Sequence, residues 1–140
     1  MSVEVFLDSN VLIYAVSSSP QEAAKRDRAL DLIEGKDFGL SAQVLQEFYT
    51  LVTRRLARTL IETDAERATR SFAQLPVVTA DAHLVLDAIS LSRRHRLSLW
   101  DALIVQAAVK AGCTTVLTEA LQDGLEIGTL RIANPFLDAT

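Results

Sequence analysis

Val3-Glu4-Val5-Phe6-Leu7-Asp8-Ser9-Asn10-Val11-Leu12-Ile13-Tyr14-Ala15 is the stretch that decides the fold of this chain. The apolar run 3–7 reads as a strand, and residues 10–17 read as a short helix. An acid, a hydroxyl and an amide join the two. Oxygen ligands are thereby set at the carboxyl end of a strand, where open α/β folds bind their ligands. Asp and Asn are also ordinary helix N-caps. The weight of Asp8 therefore depends on whether other acids reach the same crevice.

Strands and helices alternate outward from this stretch. Ser19-Pro20-Gln21-Glu22 carries the marks of a helix start, with Pro at the first helical position and an acid three residues after the cap. That helix is expected to run to about Glu34, with Gly35 as its stop. Phe38-Gly39-Leu40 reads as a short strand. Ser41 then caps a long helix expected to reach Arg58, with Val44, Leu45, Phe48, Leu51, Val52 and Leu56 at helical spacing. Thr63-Asp64-Ala65-Glu66 opens a further helix through a capping box, ending before Pro76. Val77-Val78 reads as a strand and 82–95 as a helix. Ser98 starts a nearly all-apolar helix that Gly112 stops at Ala111. Thr114-Thr115-Val116-Leu117 is β-branched and apolar, a strand by pattern, and Leu130-Arg131-Ile132 is expected to be the last. The alternation predicts one α/β domain over 1–140, with a mostly parallel sheet covered on both faces.

Composition excludes several classes. Of 140 residues, 49% are hydrophobic and 23% charged, which is a chain able to bury a core and unlike a disordered one. No apolar run is long enough to span a bilayer, and no basic segment precedes an apolar one at the N-terminus, so the expectation is a cytoplasmic protein without a signal peptide. Cys113 is the single cysteine and reads as a small buried thiol. The net charge of −4 argues against a non-specific nucleic-acid binder. It leaves open phosphate binding through a cation held by acids.

Four further acids bear on that possibility. Glu47 adjoins the apolar stripe of its helix with no basic residue three or four positions away. It reads either as a solvated boundary residue or as a group aimed at the crevice. Asp101, three residues after Ser98, reads as the reciprocal acid of a capping box or as a group facing the sheet ends. Glu119 and Asp123 follow the strand at 114–117, where turn or capping roles are the alternatives. Carboxylates gathered in a low-dielectric site repel one another and resist ionising. A divalent cation relieves this, and hard oxygen donors favour Mg²⁺ or Mn²⁺. Such a site polarises a phosphodiester and activates water.

These segments resemble the PIN-domain family, and more narrowly the VapC-type toxins of type II toxin–antitoxin modules. The resemblance is carried by 6–15, by Ser41-Ala42-Gln43-Val44-Leu45-Gln46-Glu47-Phe48-Tyr49, by Leu99-Trp100-Asp101-Ala102-Leu103-Ile104 and by Leu117-Thr118-Glu119-Ala120-Leu121-Gln122-Asp123-Gly124, in the family's order. It implies a PIN-like three-layer α/β/α fold with a mostly parallel central sheet. It also implies a Mg²⁺- or Mn²⁺-dependent endoribonuclease, usually a homodimer, held inactive by a cognate antitoxin. Asp8, Glu47 and Asp101 fall on the core metal-binding acids, with Ser9 or Asn10 supporting the first and Glu119 assisting in catalysis. One departure stands out: Ala120 occupies a position where the family motif often has Asp.

Two basic clusters, Arg54-Arg55 with Arg58 and Arg93-Arg94-His95-Arg96, either line an RNA path or complement helix C-terminal dipoles. Trp100 is read as a packing residue near the site rather than a base-stacking platform. The competing functional reading is a catalytically inactive PIN-like module that binds RNA or protein, motivated by Ala120. An aspartyl-phosphate enzyme or receiver built on Asp8 fits poorly. Asn10 stands where the phosphatase needs a second acid, and 114–119 lacks the receiver's lysine.

Overall fold

The computed structural model describes residues 3–35, 37–54 and 59–139. A six-stranded sheet has the order β3-β2-β1-β4-β6-β5, with β1 Val5–Leu7, β2 Phe38–Ser41, β3 Val77–Val78, β4 Thr115–Leu117, β5 Glu126–Ile127 and β6 Leu130–Ala133. All pairings are parallel except β5 with β6. The hairpin strand β5 was absent from the expectation. It is two residues long and antiparallel at the sheet edge, too short for a periodic signal.

Among the described residues six α-helices accompany the sheet: α1 Ser9–Ala15, α2 Ala23–Glu34, α3 Ala42–Val52, α4 Glu62–Phe72, α5 Ala82–His95 and α6 Leu99–Lys110. The chain steps outward from β1 to β2 and β3 through α1–α4, then returns across the sheet through α5 and α6 to β4, on the other side of β1. Parallel crossovers are right-handed, so the two directions of travel put the two helix groups on opposite faces. This is the three-layer arrangement expected from sequence. The direction reverses between β1 and β4, and the crevice beyond those strand ends is where such a fold takes a ligand.

Several boundaries differ from the sequence expectation for local reasons. Pro20–Glu22 is a 3-10 turn, and the Ser19 side chain makes no cap bond; Ser17 instead donates to Glu22 at 2.6 Å. The end of α2 is as read, with Gly35 the C-cap after Glu34. The α4 helix starts at Glu62 behind Ile61, so Thr63 lies inside it and the capping box does not form. The α3 helix ends at Val52 rather than 58. Thr53 turns its hydroxyl back onto Tyr49 O at 2.6 Å, and the returning Thr59 and Leu60 amides take Val52 O. Arg55, Leu56, Ala57 and Arg58 lie outside the described residues.

The caps that position the site do form as read. Ser41 Oγ accepts from Val44 N at 3.2 Å, and Ser98 Oγ accepts from Asp101 N at 3.1 Å. Arg96 takes a left-handed conformation, φ 56°, and lets the chain reverse from α5 into α6 while Ser92 and Leu97 exchange hydrogen bonds. Burial on nearly all sides of α6, from Ala102 to Ala108, matches its apolar sequence. Cys113 is buried, and loss of hydration pushes its thiol up to about 11.

Phe48 is fully buried on α3 and meets Phe72 of α4 edge-on, centroids 5.3 Å apart. Its truncation leaves a cavity in the layer that carries Glu47 one residue away. Phe48→Ala is expected to cost about 3–5 kcal/mol, measured as a lower urea midpoint with an unchanged m-value.

Candidate metal and phosphodiester site

Parallel pairing sets Leu7 opposite Leu117, so the next residues, Asp8 and Thr118, emerge side by side at the carboxyl ends of β1 and β4. Asp8 N donates to Leu117 O at 3.1 Å. Its side chain is both the N-cap of α1 and the acceptor at the crevice floor: Oδ1 takes Ser9 N at 2.7 Å and Oδ2 takes Thr118 Oγ at 2.8 Å. Thr118 is wholly buried. Its oxygen also accepts from Asn10 Nδ2 at 3.2 Å and from Ala120 N at 2.9 Å, which leaves its proton for Asp8.

Glu47 projects from α3 into the same space. Ser9 Oγ donates to its Oε1 at 3.0 Å and Gln43 Nε2 to its Oε2 at 3.3 Å. Gln43 also donates to Trp100 O at 3.1 Å, tying α3 to the first turn of α6, where Asp101 stands. Asp101 is only half of a capping box. Its amide binds Ser98, but its carboxylate makes no hydrogen bond to another described residue. Asp8, Glu47 and Asp101 together line one cavity of about 540 Å³.

Electrostatics in the cavity are one-sided. Burial raises Asp8 above the usual carboxylate range. The Thr118 and Ser9 hydrogen bonds oppose that, and the charges of Glu47 and Asp101 add to it. An uncompensated set of carboxylate oxygens is the donor chemistry of a hard divalent cation. Among the described residues, no three such side chains converge closely enough to ligate an ion as they stand. Asp8, Glu47 and Asp101 therefore fit such an ion by donor type and charge and are set around the cavity wall.

Glu119 is not brought to this cavity. Its carboxylate turns the other way, accepting Tyr14 OH at 2.6 Å and Lys25 Nζ at 2.6 Å, while Tyr14 packs edge-on against Phe136. Burial alone would raise Glu119, but the Lys25 and Tyr14 hydrogen bonds and the Lys25 charge hold it below its ordinary value. Asp123 caps a turn by accepting Asn134 N at 2.8 Å. Ala120, by contrast, does line the cavity.

Sequence reading missed Thr118, Gln43, Tyr14 and Lys25. Thr118 was detectable, since it follows β4 just as Asp8 follows the adjacent parallel β1. Lys25 and Glu119 are 94 residues apart, and no local pattern joins them. Trp100 needs correcting. The residue is 65% exposed, not packed. None of Arg93, Arg94, His95 and Arg96 lines the acid cavity, whereas Arg54 does.

A family model for the PIN domain matches residues 5–119. The chain belongs to the PIN domain family. Three solved structures share its fold at low sequence identity. One is a toxin–antitoxin complex from Klebsiella pneumoniae, with TM-score 0.70 and 16% identity over 94% of this chain and 98% of that one. Another is DNA-bound VapBC from Salmonella typhimurium, with TM-score 0.64 and 19% identity over 95% and 98%. The third is VapC20 from Mycobacterium tuberculosis, a Sarcin-Ricin loop cleaving toxin, with TM-score 0.61 and 22% identity over 81% and 87%. No curated protein matches the chain. In this PIN domain the family match ends at Glu119, the residue that pairs with Lys25.

The Lys25–Glu119 pair gives a pH signature. Glu119 is depressed in the folded state, so its contribution is fully present above its ordinary value of 4.5 and is lost as pH falls through the folded value. With both side chains about 30% exposed, that contribution is about 1 kcal/mol. Glu119→Gln should therefore lower stability at pH 7, with the gap to the parent closing below pH 4.5 in denaturation series run at stepped pH.

Proposed function

We propose that this PIN domain is a divalent-metal-dependent endoribonuclease, and that it is the toxin of a type II toxin–antitoxin pair. The observation that carries the proposal is the presence of Asp8, Glu47 and Asp101 on the wall of one cavity at the β1–β4 reversal. Support also comes from family membership and from the fold shared with VapC and VapBC structures. The partners proposed are RNA, a cognate antitoxin and a second copy of the chain. Among the described residues no helix is long and apolar enough to cross a membrane, and a cytoplasmic setting is proposed.

Asp8, Glu47 and Asp101 would hold Mg²⁺ or Mn²⁺. When bound, the ion supplies positive charge that neutralises the carboxylates and polarises the phosphodiester. The protein's own groups prepare for it. Ser9 N and Thr118 Oγ fix both oxygens of Asp8, and Ser9 Oγ and Gln43 fix those of Glu47. Asp101, free of such bonds, is the member able to adjust to ion and substrate. Glu119 assists from behind the cavity as a positioning residue, since its amide donates to Asn10 Oδ1 at 3.3 Å while Asn10 Nδ2 bonds Thr118.

Total RNA and a tRNA panel incubated with the purified chain should be cleaved with Mg²⁺ or Mn²⁺ and spared with EDTA. Asp8→Asn or Asp101→Asn should lower the rate by about 10²-fold or more, and Asp8→Asn should abolish the Mn²⁺ binding heat in calorimetry. Intact RNA under every metal, with a folded protein, would overturn the nuclease reading.

Ala120 favours a second reading, a non-catalytic module that binds RNA or a protein, because the cavity wall lacks a carboxylate at that position. Ala120→Asp supplies one. Higher ligand charge tightens oxygen-based cation sites, so this variant should bind Mn²⁺ about tenfold more tightly by calorimetry. RNA retention without metal-dependent cleavage by the parent would select the second reading.

A further inference from the structure

Arg54 is the one basic residue lining the acid cavity among the described residues. It stands just past Thr53, the C-cap of α3. Its guanidinium is exposed and makes no hydrogen bond or ion pair with another described residue, although three carboxylates share its cavity. Arg70 pairs with Glu66, Arg67 with Asp64, Lys110 with Asp81 and Lys25 with Glu119, and none of these cations lines the acid cavity. Gln46 and Thr50 precede Arg54 at intervals of four, line the same cavity and are exposed. The two helical residues share a face of α3, and Arg54 continues their polar edge away from the acids.

We propose that Arg54 seats a backbone phosphate of single-stranded RNA flanking the scissile one, with Gln46 and Thr50 lining the path between. The inference rests on the ribonuclease reading and assigns the direction in which the strand leaves the acids. The physical need is plain. A cation among Asp8, Glu47 and Asp101 serves the scissile phosphate, but a neighbouring phosphate meets an acidic wall with no charge to offset it. A guanidinium offers two parallel donors to phosphate oxygens. A residue that only complements the α3 dipole would leave RNA binding untouched.

The test uses the full chain carrying Asp8→Asn, so that RNA is bound and not cut, and a short labelled single-stranded RNA of mixed sequence read by anisotropy over a salt series with Mg²⁺. Adding Arg54→Ala should weaken binding about tenfold and reduce the slope of log affinity against log salt by about 0.7. Arg54→Lys should recover the slope and only part of the affinity, since a point charge lacks the paired donors. In the chain with Asp8 intact, Arg54→Ala should raise KM for RNA cleavage and leave kcat nearly unchanged. Equal affinity and slope for the parent and Arg54→Ala overturn the assignment of Arg54 alone. Absence of both RNA binding and cleavage in the parent overturns the ribonuclease reading, and the assignment with it.

Discussion

The register between β1 and β4 governs the rest of this molecule. Leu7 faces Leu117 in a parallel ladder, and one residue further on Asp8 and Thr118 share a hydrogen bond at the buried floor of the crevice. A slip of one residue would exchange the two faces of β1, turning Phe6 and Leu7 out of the positions they fill and swinging Asp8 away from Thr118. Both leucine neighbours are set by burial: Phe6, Leu7 and Val116 are almost entirely covered. The hydrophobic core thus fixes the register, and the register fixes the polar site.

The site gathers three acids around one cavity, and among the described residues none of the three forms an ion pair there. Such an arrangement raises the cost of ionising Asp8, and the fold spends hydrogen bonds to keep the groups in place. Ser9 is the link, with its amide on Asp8 and its hydroxyl on Glu47. Gln43 extends the link to the first turn of α6 through Trp100 O. The three acids therefore come from the end of β1, from α3 and from α6; donors hold the carboxylates of Asp8 and Glu47, and the Gln43 bond to Trp100 O ties α3 to the turn that carries Asp101. Arranging charge in advance, at a cost to stability, is how active sites prepare to act on a charged group.

Most of the architecture was legible because its signals are local. Alternation of apolar runs with capped amphipathic segments gave the parallel sheet, and Ser41 and Ser98 marked the starts of the two helices that carry Glu47 and Asp101. Helix ends were less legible. The stop of α3 depends on Thr59 and Leu60 returning to Val52 O, a contact no window of sequence displays. The direction of Glu119 was hidden for the same reason, since Lys25 is drawn to it by tertiary packing of α2. Trp100 misled because an aromatic beside a site residue suggests packing, whereas this residue is exposed.

The segment after β4 shows how one strand exit serves two purposes. The chain bends after Leu117, with the Ala120 amide returning to Thr118 Oγ at 2.9 Å; Thr118 turns to Asp8, Glu119 to Tyr14 and Lys25, and Ala120 lines the cavity. A carboxylate at 119 anchors the exit by an ion pair and leaves the cavity charge unchanged. A carboxylate at 120 would enter the cavity and add to the repulsion already borne by Asp8. The ion pair also fixes the exit itself. Lys25 and Tyr14 hold Glu119, the Glu119 amide holds Asn10, and Asn10 holds the Thr118 hydroxyl that donates to Asp8. Glu119 thus reaches the acid cluster through three hydrogen bonds rather than by contact, and its charge is paired with Lys25 outside the acid cavity.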